Sequence, residues 1–415
     1  MLDRLLTSAV PGVASAAVAL VAVDGEPVAV SAAGELVRYA DAAETLLPDR
    51  PPASADSVFD LASLTKLFTT VVTMSLAEAG SLGLDEPVAT WLPSYYGDRP
   101  SITLRHLLTH TSGLPPGRRP DGIAPESRWD FVLSAGVTGP PGPYAYSDVG
   151  MITLGRVCEI ASGASLDVLV ERVVTGPLGL ADTTYRPGAA LLPRIAATEF
   201  KPERTAAVGG GAAANVVRGG HAGLISTAAG GAAALRTGTE SSGQAGSVVR
   251  GGNAGLISTA AGGGAALGTG TESSGQAGSV VRGEVHDETA HALGGVAGHA
   301  GLFSTAADLL RFAGILRTGG AGVLSAESVA EMMRDQRVAG ASFRQGLGFR
   351  IGDPAIVGPL ADAHGHSGFT GTSLVVDVER GLTVILLTNN VHPLRGRAGI
   401  RDLRNAVAAF GHSLL

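Results

Sequence analysis

The chain has 415 residues, 45% apolar and 16% charged, with thirty basic against thirty-seven acidic side chains and a formal charge of -7. That balance argues against nucleic acid or an anionic membrane surface as the main partner, since both need a basic footprint. A single cysteine, Cys158, excludes an internal disulfide framework and a multi-cysteine zinc site, and no apolar run approaches the ~20 residues of a membrane-spanning helix.

Residues 13–23 (VASAAVALVAV) have the apolarity of a secretion leader, but the preceding Asp3 and Arg4 cancel, so the positive start of a leader is missing. The stretch runs into Asp24-Gly25 and then 26–31 (EPVAVS), which reads as strand, tight turn, strand. A first sheet strand in a cytoplasmic protein is expected, with an exported protein the alternative. A Pro- and Ala-rich link (47–55) leads to the short apolar run 58–61. A helix then fits 63–79, with Leu67, Thr70, Val71, Met74 and Ala77 along one side and Gly80 as its stop. Residues 102–109 and 151–174 read as further helices, interrupted by Pro- and Gly-rich loops.

Strand character returns at 346–351, 373–378 and 383–388, the last two joined by the turn Glu379-Arg380-Gly381, and an amphipathic helix closes at about 401–410. Strands at both ends with helices between predict an α/β (α+β) fold. One mostly antiparallel sheet is built from both chain ends and flanked by helices, with a mostly helical region inserted. On this reading 1–75 and 335–415 form the sheet domain and 76–334 the helical domain, and the cleft where they meet is the default ligand site.

The middle is anomalous. Residues 216–247 and 248–279 are tandem 32-residue copies that differ only at His221/Asn253, Ala232/Gly264 and Arg236/Gly268. A diverged relative follows at 280–283 and 298–319. From Thr205 to Ser279 there is no Phe, Trp or Tyr, and five charged residues in all. A solenoid is one reading of such repeats, but each unit lacks the large apolar residues of a stacked core. The favoured reading is a local duplication looped out of the helical region, poorly ordered and without chemistry.

Lysine occurs only at Lys66 and Lys201. Where positive charge is enough the chain uses arginine, so a remaining lysine is a candidate for chemistry that needs a removable proton. Lys66 follows Ser63 by one helical turn, which brings the two side chains together. An amine kept neutral by desolvation can take the serine proton, and a helix N-terminus at Ser63 would stabilise an oxyanion. A capping serine beside a solvated lysine is the plainer alternative.

Tyr144-Ala145-Tyr146-Ser147-Asp148-Val149-Gly150 precedes a helix, and reads either as an N-cap beside a buried tyrosine or as a proton-carrying Tyr146. His364-Gly365-His366-Ser367-Gly368-Phe369-Thr370-Gly371 offers a glycine-rich edge where a substrate can approach backbone N–H groups, with His366 to bind it. A metal held by Asp362, His364 and His366 is the competing idea, and it lacks a further ligand at convincing spacing. His106 and His110 lack the glutamate of the zincin pattern. No G-x-S-x-G elbow occurs, against an α/β-hydrolase.

The order serine-x-x-lysine, tyrosine-serine-acid, histidine-x-glycine resembles the serine β-lactamase and penicillin-binding protein superfamily. It looks most like the class C β-lactamase-related esterases and D-alanyl-D-alanine carboxypeptidases. The likeness extends through 59–69 (FDLASLTKLFT), 102–115 (ITLRHLLTHTSGLP), 285–305 and 365–393, and leaves out roughly 205–279. It implies that Ser63 is the acylated nucleophile, Lys66 its base or proton partner, and Tyr146 a proton shuttle. His366 and Gly368 stand in the late motif on a strand lining the pocket, and the N–H groups of Ser63 and Phe369 form the oxyanion hole.

Two positions depart from the family pattern: Asp148 stands for its asparagine and His366 for its lysine. Both make the pocket less positive, and carboxylate-bearing substrates usually need a fixed cation. The expectation is a serine hydrolase working through an acyl-enzyme on a small-molecule ester, amide or peptide, with esters or small amides favoured. A D-alanyl-D-alanine carboxypeptidase or weak β-lactamase is the first alternative, and a non-catalytic binding protein on the same fold is another. No metal or organic cofactor is expected.

Overall fold

The computed structural model describes residues 1–202 and 278–415, so all but the last two residues of the tandem copies, and the reading of them as a looped-out duplication or a solenoid, lie outside the described residues. Ahead of the first strand an amphipathic helix, α1 (Leu2–Ala9), buries Leu2, Leu6 and Ala9. The leader-like stretch is strand β1 (Ala16–Val23), buried along nearly its whole length. The turn Asp24-Gly25 leads into β2 (Glu26–Gly34), whose residues are mostly exposed or half-buried. An apolar run without alternation is what a strand covered on both faces requires.

Three short strands follow, β3 (Phe59–Asp60), β4 (Thr184–Tyr185) and β5 (Phe200–Pro202). After the gap come β6 (Gly278–Val280), β7 (Leu302–Ser304), β8 (Arg344–Gln345), β9 (Arg350–Ile351), β10 (His364–Ser367), β11 (Ser373–Asp377) and β12 (Leu382–Thr388). The main sheet has the order β2-β1-β12-β11-β10-β9-β8. Every pairing in it is antiparallel, with β1 against β12 in register from Ala17↔Thr388 to Val23↔Leu382. The two chain ends therefore share one sheet. Its closing turn needs Gly381 at φ +64°, where an added Cβ would stand 2.1 Å from Asp24 Oδ1.

Of the expected strand at 346–351 only Arg350–Ile351 pairs, as β9, while 346–349 form the turn from β8. Gly346 N–H donates to Phe349 O at 2.9 Å, and Gly348 takes φ +73° against Thr70. Two glycines in four residues favoured the bend over continued pairing.

Helices cover both faces of the sheet. Ala17, Ala19 and Val21 of β1 pack with Leu6 of α1 and with Leu403 and Val407 of the last helix, Ile400–His412. Val18, Leu20 and Ala22 face the larger core with α2 (Thr65–Glu78) and the helix Ala306–Arg317. The amphipathic reading of α2 was too narrow: Thr65 through Met74 are all buried. Its threonines tolerate this because Thr70 and Thr73 hydroxyls donate to the carbonyls four residues back, at 2.9 and 2.8 Å. Among the described residues no helix is long and apolar enough to cross a membrane.

Candidate active site

A single 3-10 turn, Ala62–Leu64, precedes α2 and presents Ser63. Ala62 has φ +46°, a left-handed conformation that costs a side-chain-bearing residue roughly 1–2 kcal/mol. Buried Asp60 offsets it, accepting the N–H of Ala62 at 2.8 Å and that of His286 at 2.6 Å. Asp60 thus ties the turn to the distant segment that follows β6.

Lys66 is completely buried. Its ammonium donates to Ser63 Oγ at 2.8 Å and to the carbonyl of His299 at 3.2 Å, and it pairs with Asp148 Oδ1 at 2.8 Å. Two hydrogen bonds to neutral oxygens and a carboxylate alongside make a site that suits the charged amine. Burial alone would lower its pKa. Asp148 and Tyr146 outweigh that and hold it above the ordinary 10.5. The carboxyl of Asp148 is held below its ordinary 3.8, burial being outweighed chiefly by Lys66. The Asp148 carboxylate, standing where the family has an amide, thus favours the ammonium form of Lys66.

Tyr146 lies ahead of the helix Asp148–Ser162, which Ser147 caps by accepting the N–H of Gly150 at 2.9 Å. Its hydroxyl donates to Ser63 Oγ at 3.0 Å, and the Lys66 ammonium stands 5.0 Å from its ring centroid. Ser63, Lys66 and Tyr146 therefore meet in space.

Ser63, Tyr146 and Asp148 open on a cleft of about 630 Å³, also lined by Asp287, His366, Gly368 and Phe369. His366 is on β10 and buried, its Nδ1 facing the carbonyl of Ser367 at 2.9 Å. Burial, with help from Arg350 and Lys66, keeps the imidazole well below its ordinary pKa, hence neutral. Its Nε2 has no hydrogen-bond partner among the described residues. Gly368 N–H closes the β10–β11 turn by donating to Thr372 O at 2.8 Å. Phe369 is 59% exposed at the cleft. The alternative metal ligands are engaged elsewhere: His364 Nε2 contacts Met333 O at 2.8 Å and Asp362 pairs with Arg344. His106 serves in a helix cap.

Asp148 and His366 remove positive charge at their own positions, but the cleft draws cations from elsewhere. Arg350, Arg395, Arg397 and Arg404 all line the cleft, supplied by segments far in sequence from Ser63 and invisible to motif spacing. Arg350 pairs with Asp353, Arg395 with Glu199 and Glu288, and Arg397 with Glu44. Arg404 pairs with no carboxylate among the described residues. It donates to the carbonyls of Gly368 and Thr372 at 2.9 and 3.1 Å, and burial with the nearby Arg350 charge pushes its pKa down to about 10. Asp287 also escaped the sequence reading. It sits in the cleft, accepts from His299 Nε2 at 2.9 Å, and is held below the usual carboxylate range despite burial, mainly by His299.

Comparison with known proteins identifies the family. The family model described as Beta-lactamase matches residues 2–279 and 256–409. The chain is 26% identical to a putative D-alanyl-D-alanine carboxypeptidase of Escherichia coli K12, over 84% of this chain and 73% of that protein. It is 32% identical to esterase EstB of Burkholderia gladioli over 32% of this chain, a match spanning 40% of the esterase. The solved structure of EstCE1, described as a hydrolase with promiscuous acyltransferase activity, superposes with a TM-score of 0.62, at 22% identity and 97% coverage of both chains. With nearly all of its length matched by that family model, the chain belongs to the beta-lactamase family of serine hydrolases.

Proposed function

We propose that the protein hydrolyses carboxylic esters or small amides through an acyl-enzyme on Ser63. The observation that carries the reading is the convergence of the Lys66 ammonium and the Tyr146 hydroxyl on Ser63 Oγ, at 2.8 and 3.0 Å, in an open cleft. Lys66, an ammonium beside Asp148 that already donates to Ser63 Oγ, serves as the proton partner rather than the base. Tyr146 relays the proton: as Ser63 attacks the carbonyl, the phenol oxygen accepts the serine proton while its own hydrogen passes to the leaving alkoxide or amine. Lys66 supplies positive charge to the developing oxyanions, and the N–H groups of Ser63 and Phe369 receive the carbonyl oxygen. Water then attacks the acyl-enzyme by the same route in reverse. Asp148, His366 and Gly368 shape the substrate side of the cleft.

A carboxypeptidase reading is favoured by one observation: Arg404, without a carboxylate partner among the described residues, lines the cleft. A peptide's terminal carboxylate would suit it, and the Escherichia coli relative carries that description. Turnover of a short-chain aryl ester, a chromogenic cephalosporin and a D-Ala-D-Ala peptide separates these readings. The aryl ester should be the fastest substrate, and faster cephalosporin turnover would refute that ranking. A fluorophosphonate should label the wild type and not Ser63→Ala. Failure to label well-folded wild type would point to a binding protein.

A further inference from the structure

Tyr146 is gripped by a residue that the reaction does not touch. His110 follows the helix Leu104–Leu108, is 2% exposed, and takes φ +56°, a conformation uncommon outside glycine. In that conformation its backbone carbonyl accepts the N–H of Ala145 at 2.7 Å, while its ring Nδ1 accepts the N–H of Ser147 at 3.2 Å. The residues on either side of Tyr146 are thus both held by His110. The imidazole also packs on the Tyr146 ring, with centroids 4.6 Å apart and planes at 39°.

Resting on the proton-shuttle reading of Tyr146, we infer that His110 is a positioning residue that holds the phenol at Ser63 through this three-point grip. The chemistry of the contact requires neutral imidazole, because Nδ1 must present its lone pair to a backbone N–H; the ring proton is then on Nε2. Burial, together with Lys66 and Arg350, drives the His110 pKa down to about 3 and keeps that lone pair available. A residue here must meet two demands at once: left-handed backbone and a side-chain acceptor two bonds beyond Cβ. Asparagine meets both but has no ring to pack on Tyr146.

The test is a double-mutant cycle on ester hydrolysis, with kcat expressed per folded molecule from circular dichroism. His110→Ala should lower kcat about 10²-fold with KM nearly unchanged, the cost of a misplaced catalytic group. His110→Asn should recover part of that loss. In a Tyr146→Phe background His110→Ala should cost nothing further, because the group it positions is gone. An unchanged kcat for His110→Ala, an equal loss in the Tyr146→Phe background, or no recovery by asparagine would each overturn the inference. Wild-type turnover by Tyr146→Phe would overturn it together with the shuttle reading. An impaired Tyr146→Phe beside an intact His110→Ala would remove this inference alone.

Discussion

The chain's two lysines form a natural contrast. Lys66 and Lys201 are both buried and both ion-paired. Around Lys201 stand the carbonyl of His286 and the carboxylate of Glu288, each at 2.6 Å, with Glu199 at 3.6 Å. Arg395 joins both glutamates, and His286 joins Glu199. Lys66 ion-pairs with Asp148 and otherwise meets a carbonyl and a serine hydroxyl shared with a phenol. Scarcity of lysine in the sequence therefore marks buried ammonium sites of either kind. What distinguishes the chemical one is a hydroxyl within reach and a cleft beside it.

The contrast predicts separable losses. Lys66→Met should lower ester turnover at least about 10³-fold, equivalent to about 4 kcal/mol of barrier, in protein that still folds. Full activity in this variant would erase the distinction. Lys201→Met should do the opposite, lowering stability in urea by about 3 kcal/mol because carboxylates lose a buried partner, while turnover per folded molecule stays at the wild-type level. A catalytic loss without a stability loss would make Lys201 part of the chemistry.

The smallest effect concerns pH. The Asp148 pKa is lowered on folding, so its contribution exists above 3.8 and is lost as pH falls through the folded value. The Lys66 pKa is raised, so its contribution exists below 10.5 and is lost as pH rises through the folded value. Each unit of separation corresponds to about 1.4 kcal/mol. The stability difference between wild type and Asp148→Asn should hold through neutral pH and narrow below 3.8 and above 10.5 in thermal melts. A difference that widens in acid would contradict the pairing.

Much of the fold was readable because its signals are local. β1, β11 and β12 are dense in β-branched and small apolar residues, and the turns at Asp24-Gly25 and Glu379-Arg380-Gly381 have the residues that turns demand. The Ser63–Lys66 approach followed from helical spacing alone. Other features depend on distant partners. α1 has Leu2, Leu6 and Ala9 at helical intervals, but a helix of eight residues holds only through its packing on the sheet, which local sequence does not show. The ionisation of Lys66 depends on Asp148, 82 residues away in sequence but 2.8 Å away in space. His110 and Asp287 act from loops, where no periodicity announces which way a side chain points.

The pairing of β1 with β12 also dictates when a newly made chain can become active. During synthesis the first strand leaves the ribosome some 360 residues before its partner, whose register runs from Leu382 to Thr388. Until then one edge of β1 has no hydrogen-bonding neighbour of its own and is an inviting template for other extended chains. His366 and Phe369 also arrive late, so the cleft cannot be complete on a nascent chain that already displays Ser63. Any nonsense mutation upstream of residue 382 should therefore yield an aggregating product rather than a shortened enzyme.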